Sequence, residues 1–240
     1  MDILHSKIYG ADLPGTPLLV FHGLFGMLDN WGSFGKETGE LFPVHLIDLR
    51  NHGKSFHSEE MSHDDLAHDI SHYMDFHGIE KANLLGHSLG GKAAMQFAVK
   101  YPVKVEKLIV VDISPKAYPP HHQGILKALQ SVDFQQAETR QAVEETLQQY
   151  IPEKSVIQFL TKNLYWTDDK KLAWRFNLNI LAGKYDEFVA NAIKFGVFSG
   201  ETLFIAGAKS KYILPEDEFL IKQQFPNANI VQIADAGHWV

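Results

Sequence analysis

Cysteine is absent from this chain. That excludes disulfides, thiolate nucleophiles and cysteine-based metal sites. No apolar run approaches the roughly 18 residues that a bilayer-spanning helix needs, so no membrane partner is expected. Lys and Arg number 22 against 29 Asp and Glu, a net charge of −7, and the basic surplus of a nucleic-acid-binding surface is missing. Met1 to Lys7 carry neither the basic nor the apolar stretch of a secretory leader, which reads as a soluble, cytoplasmic protein. What is present is a chain of 240 residues with 45% hydrophobic content. This suits one α/β domain with an insertion better than two independent domains.

Apolar strand candidates fall at Ile3–Tyr9, Pro17–His22, Val44–Asp48, Ala82–His87, Lys107–Asp112, Thr202–Gly207 and Asn229–Ile233. Several are continuous rather than alternating, as in parallel strands covered on both faces. Helical patterns intervene at Ser62–His77 and Leu89–Lys100, giving a βαβ rhythm. The rhythm breaks after Pro115. Helix-like stretches at Gly124–Ser131, Phe134–Tyr150, Ser155–Leu164 and Lys170–Leu181 follow with no strand between them. The expected organisation is a core of residues 1–114 and 201–240 with a helical cap, 115–200, inserted into it. A core of this kind ordinarily carries one more helix after its last strand, and the sequence stops at Val240.

The most informative stretch is Gly86-His87-Ser88-Leu89-Gly90-Gly91, between the fourth strand and the helix after it. G-x-S-x-G at a strand-to-helix junction is the nucleophile elbow of the α/β-hydrolase fold, a mostly parallel central sheet with helices on both faces. A serine hydroxyl needs a base, and the base needs an orienting acid. In this fold they follow in the order Ser, Asp or Glu, His. His238, after the last strand, is the candidate base. The usual location of the acid, Gly207–Ile213, holds no carboxylate. Asp112, at the end of the strand following the elbow helix, is the candidate acid, with Asp235 in the histidine's own loop as the competitor. The oxyanion donors are expected from the amides of Leu89 and Leu24, with Phe25 second to Leu24. His22 and the run Asp48–Ser55 are read as bracing for these loops. His68 and His72, four apart on a helix, have a metal-ligand spacing but fall on the solvated face. No metal and no cofactor is expected.

Together these residues resemble the YbfF-type esterases, bacterial α/β-hydrolases with mitochondrial relatives in eukaryotes. The likeness lies in His22–Gly26, Asp48–Gly53, Gly86–Ala93, Asp112–Pro115, Val156–Leu160, Trp174–Asn177 and Gly237–Val240. In that family the acid follows the strand after the elbow helix, which implies Asp112. The resemblance implies hydrolysis of carboxylic esters, with acyl-CoA thioesters as further substrates. The partner is then a small-molecule acyl ester or thioester, and the oligomeric state stays open. Phe25 and the cap aromatics Phe159, Trp166, Trp174 and Phe176 are expected to line an apolar acyl pocket. A lyase or carbon–carbon hydrolase with the same three residues, and a non-catalytic binding module, are the competing readings.

Overall fold

Continuous apolar runs become strands when both faces of a sheet are covered, and the first part of this chain folds that way. The computed structural model describes residues 2–120 and 122–238; Trp239 and Val240 lie outside them. Strands β1 (Ser6–Tyr9), β2 (Leu18–Phe21), β3 (Val44–Ile47), β4 (Ala82–His87) and β5 (Val105–Val111) precede the segment of residues 115–200. That segment holds β6 (Leu164–Trp166) and β7 (Leu172–Trp174), and β8 (Glu201–Gly207) and β9 (Ala228–Ile233) follow it. The main sheet runs β1-β3-β2-β4-β5-β8-β9. β1 is antiparallel to β3, and the remaining pairings in this sheet are parallel.

Helices α1 (Gly32–Thr38), α2 (His63–Phe76), α3 (Leu89–Lys100) and α8 (Asp217–Gln224) flank the sheet, and α4 (Gln123–Gln130), α5 (Arg140–Gln148), α6 (Lys154–Thr161) and α7 (Leu178–Gly183) belong to the segment. Successive strand residues point to opposite faces. Leu19, Phe21, Leu84 and Val110 join the larger core with α2 and α3, whereas Leu18, Val20, Leu85 and Val111 join a smaller one beside α1. In β9, Ile230 packs on the larger core, while Val231 and Ile233 are 41% and 44% exposed.

Helix α2 begins at Ser62, whose Oγ accepts the Asp65 N–H at 3.1 Å, with acidic Asp64 and Asp65 favoring the positive end of the dipole. Leu66, Ile70, Tyr73 and Met74 form its buried stripe; His68 is exposed as expected, whereas His72, expected on the same solvated face, is half-buried where the stripe curves round the helix. Helix α3 is buried from Leu89 to Ala98 and crosses between β4 and β5.

The segment departs from expectation in two places: of Phe134–Tyr150 only α5 is helical, the chain making a turn at residues 134–136, and a hairpin interrupts the second half. Lys170–Leu181 is a strand, β7, followed by the short helix α7. β7 pairs with β6 in a hairpin, with Leu164 opposite Trp174 and Trp166 opposite Leu172. The turn is closed by Lys170 N–H to Thr167 C=O at 2.9 Å and Thr167 N–H to Lys171 C=O at 2.8 Å. Lys170 takes the left-handed φ of 58° that Gly or Asn usually signals, so the turn is disguised in the sequence.

At the β4–α3 junction, a Cβ on Gly86 would stand 2.2 Å from the Gly90 carbonyl oxygen, and one on Gly90 would stand 2.4 Å from that of Phe21. These neighbours are backbone and cannot swing away. Gly90→Ala is therefore expected to lower the unfolding free energy by about 3 kcal/mol or more, as read by urea denaturation. A loss below about 1 kcal/mol would mean that β2 and α3 can separate there.

Candidate active site

Ser88 is the pivot of the turn, with φ 53° and ψ −116°. A non-glycine residue in that region is strained and persists only where its surroundings hold it. Here Ser88 N–H donates to the Val111 carbonyl at 3.0 Å and Lys92 N–H donates to the Ser88 carbonyl at 3.0 Å. The first helical residue, Leu89, carries an N–H with no acceptor inside its own helix.

Asp112 leaves β5 with φ 48° and is completely buried. Its Oδ1 accepts the Gly207 N–H at 3.0 Å, and its Oδ2 accepts the Ser210 hydroxyl and the His238 Nδ1–H, the latter at 2.8 Å. Two loops thus converge on one carboxylate. The histidine loop closes over β8 because Gly207 has no Cβ; one there would stand 2.1 Å from the Gly237 carbonyl oxygen. The His238 ring stacks on Tyr212 at 3.9 Å between centroids, and the His238 carbonyl accepts the His87 Nε2–H at 2.8 Å. Asp235 is not part of this arrangement. Its side chain is 89% exposed and pairs with Lys209 at 2.8 Å.

The loop after β2 is fixed by neighbours drawn from Asp48–Ser55. His22 Nδ1–H donates to the Gly23 carbonyl at 2.8 Å, and its Nε2 accepts the Leu49 N–H at 3.0 Å. His52 Nδ1–H donates to the Arg50 carbonyl at 2.9 Å, and its Nε2 accepts the Phe25 N–H at 3.2 Å. Asp48 accepts the Leu28 and Lys54 amides at 2.7 and 2.9 Å. The Phe25 amide is therefore committed to His52, while the Leu24 amide makes no hydrogen bond to any described residue. Arg50 in turn holds Asp69 of α2 through two bonds of 2.6 and 2.7 Å.

Ser88, His238, Leu24 and Phe25 line a cavity of about 240 Å3, closed by Ile125 of α4 and by Val156, Phe159 and Leu160 of α6. The remaining predicted pocket residues lie elsewhere. Trp166 is 60% exposed on the hairpin and outside the cavity wall. Trp174 stacks on Phe176 at 5.3 Å, and Phe176 packs behind Phe25 at 5.2 Å; both serve as filling within the segment. The β6–β7 register puts Trp166 and Trp174 on the same face of the hairpin, with Trp174 at its base against Phe176 and Trp166 beside the turn, in solvent. Among the described residues, no group of three His, Asp or Glu side chains is spaced to hold a metal ion, and no helix is long and apolar enough to cross a membrane.

Residues 16–150 match the family model for the alpha/beta hydrolase fold. The chain is 35% identical to Esterase YbfF of Escherichia coli K12 over 94% of this chain and 87% of that protein. It is 37% identical to the sn-1-specific diacylglycerol lipase ABHD11 of Danio rerio over 99% of this chain and 77% of that protein. A solved marine microorganism esterase superposes with a TM-score of 0.95 at 37% identity, covering 100% of this chain and 94% of that one. The chain belongs to the α/β hydrolase family. Within it, the YbfF-type esterases are its kin.

Sequence reasoning missed His87, His122, Tyr212 and Ile125 as cavity-lining residues of this α/β hydrolase. His87 alone had a readable cue, its place inside the elbow motif. Burial pushes His22, His52 and His87 down to about 4, about 3 and about 4 from an ordinary 6.5. The folded state keeps these rings neutral where the unfolded chain protonates them. Their contribution is complete above pH 6.5 and is lost as pH falls toward 4. Urea unfolding at pH 5.0 against pH 7.5 is expected to show a loss of about 2 kcal/mol for each ring. Equal stability at the two pH values would mean the rings are not held neutral by burial.

Proposed function

We propose that Ser88, His238 and Asp112 act as nucleophile, base and orienting acid in this carboxylic ester hydrolase. His238 Nε2 takes the Ser88 proton as Oγ attacks the acyl carbonyl. The Leu24 and Leu89 amides hold the oxyanion. Asp112 fixes the imidazole tautomer and stabilises the imidazolium. His238 then gives its proton to the departing alkoxide, and water, activated by the same ring, releases the acid from the acyl-enzyme. Thioesters, acyl-CoA among them, present the same carbonyl and pass through the same acyl-enzyme. Residues 115–200 serve as a cap over the core of 1–114 and 201–240, and Phe25 and Phe159 line the chamber for the hydrocarbon part of the substrate.

The observation that carries this reading is the 2.8 Å bond from His238 Nδ1 to Asp112 Oδ2, which joins residues 126 apart in sequence beside the cavity that Ser88 lines. With Nδ1 committed to Asp112, base chemistry falls to Nε2. The Leu24 amide, which unlike that of Phe25 is not committed to a brace, supports the oxyanion assignment.

Ser88→Ala is expected to lower kcat on p-nitrophenyl butyrate by about 10⁴-fold or more, with folding intact by circular dichroism. A fluorophosphonate probe should label the parent protein at Ser88 and leave the variant unlabelled. Asp112→Asn should cost about 10³- to 10⁴-fold in kcat, whereas Asp235→Asn should stay within about twofold, as exposed ion pairs contribute little. An unlabelled, fully folded parent protein would favour a binding module, and a large loss in Asp235→Asn would move the acid to that residue.

A further inference from the structure

His87 is the last residue of β4 and is joined directly to Ser88. It is 6% exposed. Its imidazole reaches the histidine loop, where Nε2–H donates to the His238 carbonyl at 2.8 Å and the two rings lie 4.7 Å apart. Its Nδ1 borders the loop after β2, since a Cβ on Gly23 would stand 2.9 Å from it. One ring therefore fills the space between the nucleophile's turn, the base's loop and the loop that carries Leu24.

A carbonyl only accepts, so Nε2 of His87 carries a proton. Burial pushes His87 down to about 4, which keeps the ring neutral at pH 7 with that proton in place. A neutral ring does not oppose the imidazolium that His238 becomes during the reaction, whereas a charged one so close would.

The base needs a second anchor because of where it sits. β9 is the edge of the sheet. Ile233 at its end is 44% exposed and the Asp235 side chain 89%, so the loop bearing His238 runs along the surface. The bond to Asp112 fixes one ring nitrogen, but a ring held at one nitrogen can still swing about that bond. Stacking on Tyr212 limits its tilt. The direction of Nε2 then depends on where the His238 main chain is held. His87 grips that main chain from the residue next to Ser88, so nucleophile and base are set relative to each other through one side chain.

Resting on the Ser88 mechanism above, we infer that His87 is a positioning residue, whose Nε2–H holds the His238 main chain so that the base meets the Ser88 hydroxyl. A misplacement of about 1 Å in a reacting group can cost about 100-fold in rate. The loss falls on the chemical step, because His87 acts on the base and not on the substrate.

The test measures kcat and KM on p-nitrophenyl butyrate and the rate of fluorophosphonate labelling. His87→Phe keeps a ring and removes the donor. Its kcat and labelling rate are expected to fall together by about 30-fold or more, with KM within about threefold of the parent value. His87→Gln puts an amide N–H where the imidazole Nε2–H stood and should recover kcat to within about fivefold. His87→Asn carries the same amide one carbon shorter, out of reach of the carbonyl, and should stay as slow as His87→Phe. A merely structural role would shift urea stability and would not separate Gln from Asn in kcat at constant KM. If His87→Phe fails to fold, Gln against Asn decides. Parent-like kcat and labelling in folded His87→Phe, or equal kcat in the Gln and Asn variants, overturns the inference. A folded parent protein that the probe does not label would instead remove the mechanism beneath it.

Discussion

Backbone meets backbone at the turn around Ser88, and the rest of the site follows from that contact. The carbonyl of Gly90 occupies the space of a Gly86 side chain, and the Phe21 carbonyl that of a Gly90 side chain. Two absent methyls thereby lock β2, β4 and α3 together. Holding Ser88 at φ 53° costs about 1–3 kcal/mol of strain, which the burial of α3 from Leu89 to Ala98 offsets. Because β2 is the direct neighbour of β4, the loop that follows it has to pass beside the serine. The Leu24 and Leu89 amides owe their place near each other to this adjacency.

The carboxylate sits one strand further along. β5 separates β4 from β8, so an aspartate at its end lies between the serine and any histidine arriving from β9. The histidine loop must then cross the end of β8, and Gly207 provides the gap. Burying a carboxylate completely is costly unless its oxygens are satisfied. Asp112 has three donors, from Gly207, Ser210 and His238. Gly207 ends β8 and Ser210 lies in the loop after it, where an acid would otherwise be sought. That loop holds the Asp112 carboxylate in place without supplying a carboxylate of its own.

The sheet was legible because parallel strands buried on both faces leave continuous apolar runs; β4 and α3 have the bounds their patterns suggest. The elbow was legible because sterics force its glycines. Asp112 could be read from elimination together with family likeness, and the structure sets it against His238 at 2.8 Å. The segment between β5 and β8 was harder to read. Its strands are three residues long, too short for periodicity to register, and the turn between them uses Lys170 where glycine was the cue to look for. The aromatics there share composition and differ in role. Trp174 at 9% and Trp166 at 60% exposure share one face of the hairpin and are distinguished by how close each lies to its turn, a fact of tertiary placement and not of residue type. Lys92 was opaque for a related reason, since its bond to the Asn191 carbonyl depends on how the segment lies over α3.

How it lies is set by polar ties rather than by apolar packing alone. Asn177 N–H donates to the Asn51 carbonyl at 2.9 Å, Asn163 Nδ2 to the Phe25 carbonyl at 2.7 Å, and Lys92 to the Asn191 carbonyl. Apolar contacts are non-directional and tolerate sliding, whereas a buried hydrogen bond that slips leaves two unsatisfied groups. Each tie ends on a residue close to the chemistry. Phe25 follows Leu24, Asn51 precedes the His52 that braces the same loop, and Lys92 lies in the first turn after Ser88. The segment is therefore registered to the serine and the loop after β2, not merely to the sheet. The walls that Phe159, Val156 and Ile125 contribute to the cavity inherit that register. A change at Asn163 or Asn177 should accordingly be felt in which ester is accepted before it is felt in whether the core folds.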